Sequence, residues 1–130
     1  MDLDMAKLVG NDRFAKLVGI KLVKIDLGYA VAQMEISEKH LNGVNIVQGG
    51  AIFTLADYAF AAAANSKGVV TLGINANISY FKSPKGKLLT AEAKEINSSK
   101  RICSYNVDII DENNSLIARF NGTGYIKGEV

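Results

Sequence analysis

Between Leu41 and Ser66 the chain carries one formally charged side chain, Asp57, and after Lys67 no charge appears until Lys82. Within this run Gly50 to Asn65 reads as a single helix of about four turns, with Ile52, Leu55, Ala59 and Ala63 at helical spacing. Ala61 to Ala64 make the helix slender, so other backbone can pack closely against it. Asn65, Ser66 and Gly68 end it. A helix of mostly apolar and small residues calls for a sheet to hold it.

The rest of the chain supplies that sheet. Asp4 to Val18 has apolar positions at helical spacing (Met5, Leu8, Val9, Phe14, Leu17, Val18), split into two short pieces by Gly10-Asn11. Ile20 to Leu27 and Tyr29 to Ser37 alternate about Gly28, with Ala30, Ala32, Met34 and Ile36 on one face, which reads as a hairpin. His40 to Val47 is a loop rich in turn residues. After the helix, strands are expected at Val69 to Phe81, Lys87 to Ile96, Ile102 to Ile110 and Leu116 to Lys127. Turns at Ser83-Pro84-Lys85-Gly86 and Asp111 to Ser115 separate them. Leu89, Ala91 and Ala93 form one inner face, and Cys103, Tyr105, Val107 and Ile109 another. The expectation is an α+β chain of one domain, residues 1–130, with a long central helix wrapped by a curved antiparallel sheet.

Composition excludes several classes. An apolar share of 48% with 22% charged is ordinary for a soluble globular protein, and a net charge of +2 gives no argument for nucleic acid. Cys103 stands alone, so no intrachain disulfide can form, and a reducing, cytoplasmic setting is expected. Asp2 and Asp4 without a long apolar run do not read as a leader peptide. The weakly polar stretch from Leu41 to Ser66 is interrupted by Asn42, Asn45, Gln48 and Asp57 and does not read as a membrane span. One histidine, His40, and one cysteine give no metal-ligand cluster, so no metal and no cofactor are expected. His40 reads as an exposed loop residue and Cys103 as inert core.

Asp57 is too far inside the helix to cap it, and no neighbouring position in sequence offers a cation. A carboxylate in apolar surroundings is costly unless it is paired, hydrated or used. Gln48-Gly49-Gly50 precedes the helix, where unsatisfied N–H groups and a partial positive charge collect and glycine admits close approach of a ligand to the backbone. A base and an oxyanion donor together point to chemistry on a carbonyl. The eight residues from Gly49 to Asp57 rise about 12 Å. Both groups need to come within about 3 Å of the reacting atoms, so one helix cannot easily supply both. Two antiparallel helices would bring Gly49 of one copy near Asp57 of another, which favours a two-fold dimer with two shared sites.

Leu41-Asn42-Gly43, Gln48-Gly49-Gly50, Leu55-Ala56-Asp57, Asn65-Ser66 and Gly68 together resemble the signature of the PaaI-like hotdog-fold acyl-CoA thioesterases. Length and element order fit the hotdog fold over most of the chain. The resemblance implies hydrolysis of acyl-CoA by a homo-oligomer, a dimer or dimer of dimers, with the site between protomers and coenzyme A entering only as part of the substrate. It implies that Asp57 is general base or nucleophile, that Gly49 offers its N–H to the thioester oxygen, and that Asn42 helps order the site. The family usually has His immediately before the glycines. Here Gln48 can donate a hydrogen bond but carries no proton at neutral pH.

Other positions have open readings. Gly49-Gly50 alone is a tight turn, Asn42-Gly43 a common turn pair, and Gln48 a cap or loop bridge. Thr54 either hydrogen-bonds the Asp57 carboxylate or back-bonds to the helix. Asn75 and Asn77 either line a substrate tunnel or are edge polarity. Lys82, Lys100 and Arg101 lie at strand ends where they meet CoA phosphates or simply face solvent. Tyr58, Phe60, Tyr80 and Phe81 are available for either an aromatic or an aliphatic acyl pocket. The competing functions are a hydratase or dehydratase, for which His40 is badly placed, and a non-catalytic acyl-CoA-binding or sensor protein, which Gln48 keeps open. A plain scaffold has no need of an isolated helical carboxylate.

Overall fold

Six antiparallel strands curl around one apolar helix in a computed structural model that describes residues 9–128. Helix α1 covers Arg13–Val18, the hairpin strands β1 and β2 cover Ile20–Asp26 and Tyr29–Glu35, and a 3₁₀ turn covers Glu38–His40. The long helix α2 spans Gly49–Ala64. Strands β3, β4, β5 and β6 follow at Val70–Tyr80, Leu88–Ser98, Ile102–Ile110 and Leu116–Gly128. The first part of the helical pattern expected from Asp4 lies largely outside the described residues. Its second part begins after Asn11, with Asp12 capping α1 by accepting the Ala15 N–H and Gly19 ending it at a φ of 84°.

The sheet order is β1-β2-β4-β5-β6-β3. This is the wrapped-helix, hotdog arrangement. The helix meets the inner faces of the strands, where Ala30, Ala32, Met34, Leu89, Ala91, Ala93, Val107, Ile109 and Phe120 are fully buried. Small side chains on both sides let the Ala59–Ala64 end of α2 come close to the sheet, the slenderness that the sequence implied.

Phe60 is the exception in size, and the sheet makes room for it with glycine. A Cβ added at Gly122 would lie 2.9 Å from Phe60 Cε2, and one at Gly73 would lie 3.2 Å from the same atom. The ring is tilted against Tyr105 and Phe120, with centroids 5.7 and 5.8 Å away. Phe60 is therefore core and does not line an acyl pocket.

Ser66, buried just past α2, ties the helix to the hairpin: its Oγ accepts the Gly28 N–H at 2.8 Å and donates to the Ala63 carbonyl at 2.7 Å. His40, expected exposed, is 3% exposed. Its Nε2 donates to the Val18 carbonyl at 2.6 Å and its Nδ1 accepts the Ser37 N–H at 3.0 Å. A carbonyl only accepts, so Nε2 holds the proton and the ring is used up as a latch between α1 and the 3₁₀ turn. No helix among the described residues is long and apolar enough to cross a membrane.

Candidate active site

Gln48 is the N-cap residue of α2, so the helix opens at Gly49, one residue earlier than the spacing predicts. The Gln48 N–H donates to the His40 carbonyl at 2.8 Å, and its own carbonyl accepts from Ala51 and Ile52 at 3.0 and 3.3 Å. The buried latch at His40 thus fixes where the helix begins. The Gln48 side chain makes no capping bond, and its Oε1 lies 3.1 Å from where a Gly50 Cβ would stand. It folds over Gly50, and among the described residues its amide nitrogen meets no acceptor. Asn42 is exposed and closes the preceding loop, its Oδ1 accepting from Val44 and Ile46 at 2.9 and 3.1 Å. These bonds hold the turn between Leu41 and Val47.

Gly50, Thr54, Asp57 and Ala61 stand at i, i+4, i+7 and i+11 on one stripe of α2, the stripe that the sheet leaves uncovered. Thr54 back-bonds to the Gly50 carbonyl at 2.8 Å, so of its two readings the back-bond is realised and its hydroxyl is not spent on Asp57. Surrounding protein raises the pKa of the Asp57 carboxyl, first by desolvation and then through the negative charge of Asp12. Its side chain is nonetheless partly open to solvent. Among the described residues no cation pairs with Asp57.

A hollow of about 240 Å³ opens beside the stripe, lined by Val9, Asp12, Tyr58, Ala61, Val70 and Leu72 among others. Of the four aromatics considered for an acyl pocket, Tyr58 lines this hollow. Tyr80 instead lies across the start of α2, its Oη donating to the Gly49 carbonyl at 3.0 Å. Sequence reasoning missed this contact, because nothing in the local pattern shows that the end of β3 returns to the start of α2.

The remaining candidates are spread out. Asn75 pairs with Thr123 and Asn77 with Asn121, on the sheet face turned away from α2. A bulge between Gly73 and Asn75 sets that register. Within one chain these residues do not face Asp57. Lys82 follows β3 near the Phe81–Ile117 hydrogen bond. Arg101 lies at the other end of the sheet, its carbonyl accepting the Ile126 N–H and its guanidinium touching the Tyr125 hydroxyl. Ile126 pairs with Thr71, so the length of β3, about 30 Å at strand rise, separates Lys82 from Lys100 and Arg101. One chain does not bring the two basic groups together. Among the described residues no three His, Cys, Asp or Glu side chains gather as a metal site.

Residues 44–118 match the family model described as Thioesterase superfamily. A putative esterase of Archaeoglobus fulgidus is 40% identical over 88% of this chain and 75% of its own length. Acyl-coenzyme A thioesterase PaaI of Escherichia coli is 34% identical over 88% of this chain and 83% of its own. The solved structure of the Escherichia coli PaaI protein superposes with a TM-score of 0.91 at 31% identity, covering 96% of this chain and 91% of that one.

Proposed function

Since the chain belongs to the Thioesterase superfamily and is a thioester hydrolase, we propose that it cleaves an acyl-CoA to the free acid and CoA in a site shared by two copies, with Asp57 of one facing Gly49 of the other. The observation that carries this reading is the uncovered stripe of α2. It holds Asp57, which pairs with no cation among the described residues, about 12 Å along the helix from the free helix N-terminus. A second α2 lying antiparallel on this stripe closes that gap.

The edge of the sheet supports the same assembly. Among the described residues strand β3 is bonded only to β6, and it exposes most of its length, including Leu72 and Ile74, which are 51% and 58% exposed. A bare, partly apolar edge is completed by the same edge of a second copy. Antiparallel pairing there sets the end of one β3 beside the start of the other. Lys82 of one protomer then shares an end with Lys100 and Arg101 of its partner, a basic cluster fitted to the phosphates of CoA.

In the reaction, the Gly49 N–H meets the thioester oxygen and stabilises the negative charge that develops there, an effect of about 2.7–4 kcal/mol for one donor. Asp57 takes a proton from water as the water oxygen attacks the carbonyl carbon. Collapse of the tetrahedral species breaks the C–S bond, and the proton passes to the departing thiolate. In the nucleophilic variant the carboxylate oxygen attacks first and water then hydrolyses the mixed anhydride. Gln48 serves either route as a hydrogen-bond donor. The hollow beside Tyr58 and Leu72 receives the acyl group.

Thiol release from a panel of aromatic and aliphatic acyl-CoAs, compared between the wild type and Asp57→Ala, tests the reading. Turnover that falls by about 10²-fold or more in the variant supports it. Acyl-CoA binding without turnover on any member replaces it with the sensor function.

A further inference from the structure

The first turn of α2 leaves two backbone donors free. Ala51 and Ile52 both spend their N–H groups on the Gln48 carbonyl. Among the described residues the N–H groups of Gly49 and Gly50 meet no acceptor, and their positions in the helix give them none. Two adjacent glycines are also the least restrained residues with which to begin a helix. Something must hold these peptides if their donors are to point in one direction.

Tyr80 does so from the end of β3. Its hydroxyl donates to the Gly49 carbonyl at 3.0 Å. The ring lies flush on the same residue, where a Cβ would come within 3.1 Å of Cζ and 3.2 Å of Oη. The Gly49 carbonyl and the Gly50 N–H belong to one planar trans peptide, so fixing the first fixes the direction of the second. A hydrogen bond to the carbonyl also polarises the peptide and strengthens its N–H as a donor. Burial pushes the Tyr80 phenol pKa up, so the hydroxyl keeps its proton.

We propose that Tyr80 is a positioning residue of the thioesterase site: it locks the Gly49–Gly50 peptide so that the Gly50 N–H stands beside the Gly49 N–H as a second donor to the oxyanion. This rests on the reading of Gly49 and Asp57 given above. It assigns the need for glycine at position 49 to two neighbours, the substrate on one side and the Tyr80 ring on the other.

Tyr80→Phe keeps the ring and removes only the hydroxyl. Loss of one direct oxyanion donor costs about 10²–10³-fold in kcat. Tyr80 acts through a peptide, so kcat is expected to fall about tenfold with KM changed less than about twofold. The second readout is the infrared carbonyl stretch of a bound ketone analogue of acyl-CoA, in which CH₂ replaces the thioester sulfur. The stretch moves to higher frequency in Tyr80→Phe as a donor is lost. Unchanged kcat, or an unchanged stretch in the bound analogue, overturns the assignment. A fall in kcat matched by a parallel rise in KM also overturns it, as general loosening. An Asp57→Ala variant that keeps full activity instead sinks the reading of the site itself, whatever Tyr80→Phe does.

Discussion

The glycine seat under Phe60 offers a test in which the sign of the effect decides. Gly122 has no left-handed φ, so alanine can adopt its backbone conformation. In open space Gly→Ala would stabilise the chain by about 0.4–1 kcal/mol by restricting its unfolded state. Here the added Cβ would stand 2.9 Å from Phe120 Cε1, 2.9 Å from Phe60 Cε2 and 3.0 Å from Phe60 Cδ2. Carbon atoms prefer about 3.5–4.0 Å, and both rings are buried against other aromatics and cannot swing away. Overpacking of this kind costs about 1–3 kcal/mol. Set against the unfolded-state gain, Gly122→Ala is expected to destabilise by about 1–2 kcal/mol. Urea unfolding followed by circular dichroism measures it, at fixed protomer concentration because association adds to apparent stability. Phe60→Leu opens space at the same spot, so the double variant should lose at least about 0.5 kcal/mol less than the sum of the singles. A stabilised Gly122→Ala, or strict additivity with Phe60→Leu, would refute the packing argument.

The remaining predictions concern charge and a buried hydrogen bond. The raised Asp57 pKa places the acid limb of kcat above the ordinary carboxylate range, with the rate rising as the base loses its proton; Asp12→Asn keeps the α1 cap, removes the like charge and moves that limb to lower pH in a kcat–pH profile. Because the folded chain holds this proton more tightly than the unfolded one, the stability linked to it is present at low pH and is lost as pH rises through the folded pKa. Asp57→Asn should therefore melt higher than the wild type at neutral pH, the gap closing as pH falls, while turnover is lost; a lower melting temperature at neutral pH would contradict this. Ser66→Ala leaves the Gly28 N–H buried without an acceptor, whereas the Ala63 carbonyl keeps the Tyr105 hydroxyl at 3.2 Å. A loss of about 1–3 kcal/mol in denaturant unfolding is expected, and a loss under about 0.5 kcal/mol would show that the Ser66–Gly28 bond does not hold the helix to the hairpin.

Periodicity carried β4 and β5 well because their inner faces are apolar and their outer faces mostly polar. The Ile102–Ile110 strand has the bounds that alternation predicts, with Cys103, Tyr105, Val107 and Ile109 buried. The helix differs by one residue at each end, with Gln48 at the N-cap position and Asn65 at the C-cap position. The α+β class and the wrapped helix were legible for the same reason. What alternation does not encode is which strands end up side by side. Lys82 and Arg101 look like neighbours when only strand ends are counted, yet β3 on the far edge sends them to opposite ends. Asn75 and Asn77 needed the bulge at Gly73 before their face was defined. His40 looked like loop polarity because its two partners, at Ser37 and Val18, are backbone groups with no sequence signature. Charge isolation and the glycine pair are what single out Asp57 and Gly49 as candidates in the sequence. The contact of Tyr80 with Gly49 has no such signal, since it spans 31 residues.

The alanines that line the interface between α2 and the sheet have an evolutionary consequence. Ala30, Ala32, Ala59, Ala62, Ala63, Ala91 and Ala93 are all fully buried, and almost any replacement there enlarges a side chain with nowhere to go. That interior is closed to experiment by mutation. Asp57 and Gly50 are exposed on the opposite side of the same helix, and the hollow beside Tyr58 is bounded by the helix, the start of β3 and the segment at Val9 and Asp12. If the proposed site holds, changes of acyl preference can accumulate along the exposed stripe of α2 more readily than in this alanine interior. A lineage built on this chain is free to drift in substrate while its scaffold stands still.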